Sequence, residues 1–150
     1  MKPQKPGADR SAIMRAVPGR DTSAEMKVRR LLRAIAPGYR LHRKDIPGNP
    51  DIAYVGAKRA IFVNGCFWHG HKNCPKTKSG RNVRIPVSNE SFWRRKMADN
   101  RARDARKCRQ LRAAGFRIMM IWECQLREPD KILGRLLLLA YGRNSDEAVR

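Results

Sequence analysis

The stretch Asp51-Ile-Ala-Tyr-Val-Gly-Ala-Lys-Arg-Ala-Ile-Phe-Val-Asn-Gly-Cys66-Phe67-Trp68-His69-Gly-His71-Lys-Asn-Cys74 decides how this chain reads. Two apolar runs, Asp51 to Val55 and Arg59 to Val63, flank Gly56-Ala57-Lys58, a pattern that predicts a β-hairpin. Past the second run, two Cys, two His and two large aromatics crowd into the nine residues from Cys66 to Cys74. A hairpin that feeds such a turn places metal-binding and acid–base groups at one end of a sheet.

Working outward, Pro47-Gly48-Asn49-Pro50 is a rigid turn before the hairpin, and Tyr39 to Arg43 alternates as a strand does. Thr22-Ser-Ala-Glu25 is a capping-box pattern, and a helix follows to Ala36, stopped by Pro37-Gly38. Ser11 to Val17 predicts a short helix, after a basic tail over residues 1–10. Downstream, residues 75–91 form a long polar loop. Ser88 or Ser91 can cap a helix that reaches Ala114, and Phe116 to Trp122 reads as a buried strand. A strand after a crossover helix runs parallel to its neighbour. Pro129 starts a last helix that ends near Tyr141. The order predicts an α/β fold: a mixed sheet flanked by helices on both faces, in one domain over residues 11–150.

Charge narrows the partners. The 150 residues carry 34 Lys and Arg against 13 Asp and Glu, a formal net charge of +21. Such a balance implies a polyanion, nucleic acid first. Residues 1–10 lack an apolar signal core, and no apolar run nears the roughly 20 residues of a membrane span. The expected location is the cytoplasm. In that reducing compartment four Cys suit metal binding better than disulfides.

Cys66, His71 and Cys74 have the types and spacing that Zn²⁺ prefers. Cys124 lies just past the 116–122 strand. If that strand runs parallel to the one ending at Val63, Cys124 falls beside Cys66 and completes a closed, structural Cys3His site. His69 is the alternative to His71 as ligand. Cys108, inside the long helix, reads as a small half-buried residue.

Asp51 opens a strand at the sheet end, where a carboxylate can hold Mg²⁺ for phosphodiester cleavage, helped by the Val63 carbonyl. An Asp after Pro is also an ordinary turn residue. Glu25 reads on its own as a helix cap. His42 reads as a strand or surface residue.

Together these residues resemble the very short patch repair (Vsr) DNA mismatch endonucleases. The match is carried by Asp21-Thr-Ser-Ala-Glu25, Pro47-Gly-Asn-Pro-Asp51, Ile61-Phe-Val-Asn-Gly-Cys-Phe-Trp-His-Gly-His71, Phe92-Trp93, Asn100-Arg-Ala-Arg-Asp104 and Ile121-Trp-Glu-Cys124. It spans about residues 10–128. The resemblance implies a fold like that of type II restriction endonucleases. It implies an enzyme that nicks double-stranded DNA 5′ to the T of a T:G mismatch, left when 5-methylcytosine deaminates. Asp51 and the Val63 carbonyl would hold Mg²⁺. His69 would be the base or proton shuttle, positioned by Glu25, with Cys66, His71, Cys74 and Cys124 on structural Zn²⁺. Phe67, Trp68 and Trp93 would wedge into the base stack, with Met14 and Val17 pressing from the minor groove. Mismatched pairs unstack cheaply, so a wedge selects them. Core packing is the competing reading for these aromatics. The family implies a monomer in the nucleoid, working beside mismatch-repair proteins.

The chain departs from the best-known branch at Val63-Asn64, where that branch has Thr-His. Asn64 donates hydrogen bonds but carries no charge, so the catalytic role expected there can pass to a nearby Lys or Arg. Three other readings compete with a nicking enzyme: a mismatch binder that cuts weakly or not at all, a restriction-type nuclease on the same fold, and a basic zinc-stapled RNA binder.

Overall fold

A computed structural model describes residues 16, 19–75 and 85–142. The expected basic tail, nearly all of the 11–17 helix, Met14 and Val17 lie outside the described residues.

Helix α1 spans Ser23–Ile35 and starts as its sequence predicts: the Thr22 hydroxyl accepts from the Glu25 N–H at 3.2 Å. Ala24, Val28 and Leu32 recur every fourth residue and form its buried stripe. Strands β1 (Arg40–Leu41), β2 (Ile52–Tyr54) and β3 (Arg59–Asn64) follow, then α2 (Glu90–Ala113), β4 (Arg117–Trp122) and α3 (Pro129–Tyr141). A 3₁₀ turn over Glu123–Arg127, absent from the expected order, carries Cys124. Asn89, rather than either serine, stands at the head of α2, in a left-handed conformation that Asn tolerates.

The four strands lie in chain order. β1–β2 and β2–β3 are antiparallel, and β3–β4 is parallel, with Asn64 level with Trp122. The parallel pairing is the one the crossover through α2 predicts. Alternation then sorts the sheet into two faces. Ile52, Ile61, Val63 and Ile121 pack with Val28 and Leu32 of α1 and with Ile132, Leu136 and Leu139 of α3. Ala53, Ala60, Phe62, Ile118 and Met120 pack under Cys108 and Leu111 of α2. Asp51 and Asn64 share the parity of Ala53 and Phe62, so both belong to the α2 face.

Nine of the 24 residues of α2 are Lys or Arg, against three Asp or Glu. The helix over the Asp51 face is therefore strongly basic.

Candidate active site and metal centre

The turn after β3 folds back on itself: the N–H of His69 donates to Gly65, that of Gly70 to Phe67, and that of His71 to Cys66. It brings Cys66, His71 and Cys74 against Cys124, and their four ligand atoms lie within 4.8 Å of one another. Cys66, Cys74 and Cys124 are buried and unbridged. Burial, reinforced by the neighbouring Cys124 and Cys74 sulfurs, pushes the Cys66 thiol up to about 12. Burial also lowers the His71 pKa, which keeps its ring neutral and its lone pair available. The ring stacks on Trp122 at 4.1 Å and 7°, which fixes its direction. Three thiols and a neutral imidazole around one point are a donor set that fits a bound cation.

The second centre lies where β2 runs out. The Val63 N–H donates to Asp51 Oδ2 at 2.8 Å. Extending the register of Ile52 with Ile61 sets Pro50 opposite Val63. Proline has no N–H, so it cannot donate to the Val63 carbonyl, which faces the same edge as the Val63 N–H. An anionic oxygen and a carbonyl that its ladder partner cannot satisfy are hard ligands, and they fit Mg²⁺. Burial raises the Asp51 pKa, opposed by the Val63 hydrogen bond and the charges of His42, Lys107 and His69. A divalent cation would restore the anion.

His69 Nδ1 lies 2.5 Å from Asp104 Oδ2. A carboxylate only accepts, so Nδ1 carries the proton and Nε2 offers a lone pair. Asp104 comes from the inner face of α2. One turn earlier, Asn100 Nδ2 donates to the Trp68 carbonyl at 2.8 Å and clamps the same turn to the helix.

Comparison with known proteins fits this geometry. The family model described as DNA mismatch endonuclease Vsr matches residues 5–76. The chain is 41% identical over 127 residues to the type II nicking enzyme V.XorIIP of Xanthomonas oryzae pv. oryzae, covering 85% of this chain and 88% of that one. It is 35% identical over 130 residues to the DNA mismatch endonuclease Vsr of Escherichia coli, covering 87% and 79%. This chain belongs to the Vsr family. The catalytic domain of the homing endonuclease I-Bth0305I superposes with a TM-score of 0.51 at 23% identity, over 79% of this chain and 93% of that one. The fold is restriction-endonuclease-like, as the resemblance implied.

Within this Vsr family member, three expected residues sit in other company. Among the described residues, the side chain of Glu25 has Asp21, Arg29 and His42 as partners. It is buried on α1, accepts from Arg29 Nη2 at 3.0 Å and from the Asp21 N–H at 3.1 Å, and has its pKa raised by burial and by the nearby Asp51 charge. His42 Nε2 completes this group, 2.9 Å from the same Arg29 nitrogen. Asp104, which the sequence reading did not single out as a site residue, is the carboxylate hydrogen-bonded to His69. Its signal was present in the sequence: Asn100 and Asp104 stand one turn apart and interrupt the inward stripe of Trp93, Met97, Cys108 and Leu111.

Asn64 is only 4% exposed and donates from Nδ2 to the Met120 sulfur at 3.2 Å. Strand alternation turns it into the α2 face, where its amide links β3 to Met120 of β4.

Trp93 is 1% exposed, packed edge-on against Phe67 at 5.2 Å and Trp68 at 5.7 Å. It is a core residue here, whereas its neighbour Phe92 is 48% exposed. Phe67 and Trp68 lean on Trp93 and stay half-buried, so the core-packing reading holds in part for them as well. Among the described residues no helix is long and apolar enough to cross a membrane.

Proposed function

We propose that this protein is a Mg²⁺-dependent endonuclease that nicks duplex DNA 5′ to the T of a T:G mismatch, with zinc as the structural ion of the Cys66, His71, Cys74 and Cys124 cluster. The observation that carries this is the meeting of Asp51, the Val63 edge and the Asp104-held His69 on one sheet end, beside the Phe67–Trp68 turn. That set supplies a cation site, a proton acceptor and a pair of half-exposed aromatics within one surface.

A divalent cation at Asp51 and the Val63 carbonyl would supply Lewis-acid polarisation of the scissile phosphate. Water then adds to phosphorus as Nε2 of His69 accepts its proton, and the bond to the leaving sugar oxygen breaks, that oxygen taking a proton from solvent to leave as a hydroxyl. Asp104 holds the Nδ1–H tautomer and steadies the imidazolium that forms. The basic face of α2 tracks the phosphate backbone, and binding weakens steeply with salt. Phe67 and Trp68 enter the stack at the mismatch, where unstacking costs least. One such centre per chain accounts for a single-strand cut by a monomer. The relatives' names, a mismatch endonuclease and nicking enzymes, support the same reaction class.

A strand-resolved assay on a labelled duplex with one T:G pair, beside its T:A control, tests this. Mg²⁺-dependent nicking 5′ to the mismatched T and none in the control is expected. Double-strand cutting of the control would move the protein to the restriction-type enzymes. The buried, uncharged Asn64 favours one second reading, a mismatch binder that does not cut. Tight T:G binding with no nick in any flanking sequence would establish it.

A further inference from the structure

Helix α2 brings cations to the site that the mechanism above leaves unused, and Lys107 is the one beside Asp51. Lys107 lies three residues past Asp104, so the two point the same way from the helix. Its stem sits at the turn that delivers Asp51. A Cβ on Gly48 would stand 3.0 Å from Lys107 Cβ, and Gly48 has φ +77°, so this approach suits glycine on both counts. Its ammonium lies 6.0 Å from the centre of the Phe62 ring. Phe62 falls opposite Asp51 when the β2–β3 register is extended by one pair, on the same face. Lys107 is half-buried and forms no salt bridge with the described residues. Asn64, meanwhile, turns its amide to Met120 and brings no charge to this face.

We propose that Lys107 is a catalytic residue that contacts a non-bridging oxygen of the scissile phosphate, supplying from α2 the positive charge that position 64 lacks. The inference rests on the nicking reading. Phosphoryl transfer spreads charge over the phosphate oxygens, and a fixed cation there favours the transition state. Arg101 stands at the His69 turn, its Nη1 2.6 Å from where a Cβ on Gly70 would lie, and the remaining basic residues of α2 contribute the general field. Lys107 has a stem held against the Asp51 turn, which gives its ammonium a fixed direction.

The test is a cycle between Lys107 and the scissile phosphate, read by binding in EDTA. Lys107→Met keeps the aliphatic stem packed on Gly48 and removes the charge. Replacing the scissile phosphate of the T:G duplex with a neutral methylphosphonate should weaken wild-type binding about fivefold or more, and leave Lys107→Met binding unchanged. Single-turnover nicking of the normal duplex should fall about 100-fold in Lys107→Met and partly recover in Lys107→Arg. Adding Asn64→His to Lys107→Met should also restore part of the rate. Arg109→Ala, on the exposed side of α2, should lower affinity for both duplexes alike and leave the nicking rate of bound DNA unchanged. An equal methylphosphonate penalty in wild type and Lys107→Met would overturn the proposal, as would full nicking by Lys107→Met. Absence of nicking by the wild type is a different result: it removes the nicking reading, while the binding cycle still decides whether Lys107 meets that phosphate.

Discussion

Two groups of metal-ligating side chains in this molecule have the same outward form: Cys66, His71, Cys74 and Cys124 in one, Asp21, Glu25 and His42 in the other. In each, the ligand atoms fall within 4.8 Å of one another. Their centres differ. In the second, Arg29 Nη2 stands 2.7 Å from Asp21, 3.0 Å from Glu25 and 2.9 Å from His42 Nε2. The guanidinium is the cation of that cluster and satisfies both carboxylates. In the first, three buried thiols and a neutral imidazole face one another, the soft donor set that suits a metal ion. A guanidinium already seated among the carboxylates takes the place a metal would fill, and the two clusters separate on that ground.

Removing the cation from each should therefore fail differently. The largest effect is expected at the thiol cluster. Chelation, or Cys124→Ser, should release one zinc per chain and lower the melting temperature by about 10 °C or more, because the metal holds the turn to β4. Elemental analysis of the purified protein checks the stoichiometry. Unchanged zinc in Cys124→Ser would remove Cys124 from the site.

Next in size is the choice of carboxylate behind His69. Asp104→Asn should cut nicking about 10³-fold with little change in T:G binding, since the amide cannot hold the Nδ1–H tautomer. Glu25→Gln should cost less than tenfold, since Glu25 answers to Arg29. The reverse ranking would return Glu25 to the role the family resemblance gave it and would make the Arg29 cluster part of the active site.

How much of this was open to sequence reading follows from range. Elements and their pairing came from local patterns: the hairpin about Gly56-Ala57-Lys58, the Pro37-Gly38 stop, the crossover that makes β4 parallel. Cys124 came from that topology. Asp104 and Arg29 act across 35 and 13 residues. Nothing local announces such pairs, beyond a polar break in an apolar helical stripe. The burial of Trp93 was hidden for the same reason, since its partners Phe67 and Trp68 belong to a turn that folds only when its ends are held. β1 shortened to Arg40–Leu41 because His42, at φ +45°, breaks the strand to reach Arg29.

A third test acts on the Arg29 cluster itself. Arg29→Met strands Glu25, which is 2% exposed, without its cation. The loss should be about 3 kcal/mol, near 6–12 °C in melting temperature at neutral pH. Burial already raises the Glu25 pKa, so the stranded group takes a proton readily. The loss should shrink as pH falls and Glu25 becomes neutral. A melting temperature insensitive to this substitution would mean that the cluster is not what holds α1 to the 42–43 segment.

The smallest effect separates function from stability at Asp51. Burial raises its pKa, so the native state holds that proton more tightly than the unfolded chain does. The stability linked to protonated Asp51 is full below the ordinary carboxylate range and is lost as pH rises through the raised folded value. Asp51→Asn is neutral at every pH and keeps an oxygen for the Val63 N–H. In chelator it should match the wild type at acid pH and melt a few degrees higher at neutral pH, a gain of about 1 kcal/mol. Mg²⁺ should raise the melting temperature of the wild type alone and narrow the gap, while nicking by the variant is abolished. A variant less stable than the wild type in chelator would mean that the protein itself already answers the Asp51 charge, as Arg29 answers Glu25. Asp51 would then belong with the second kind of cluster, and the cation would have to be sought elsewhere.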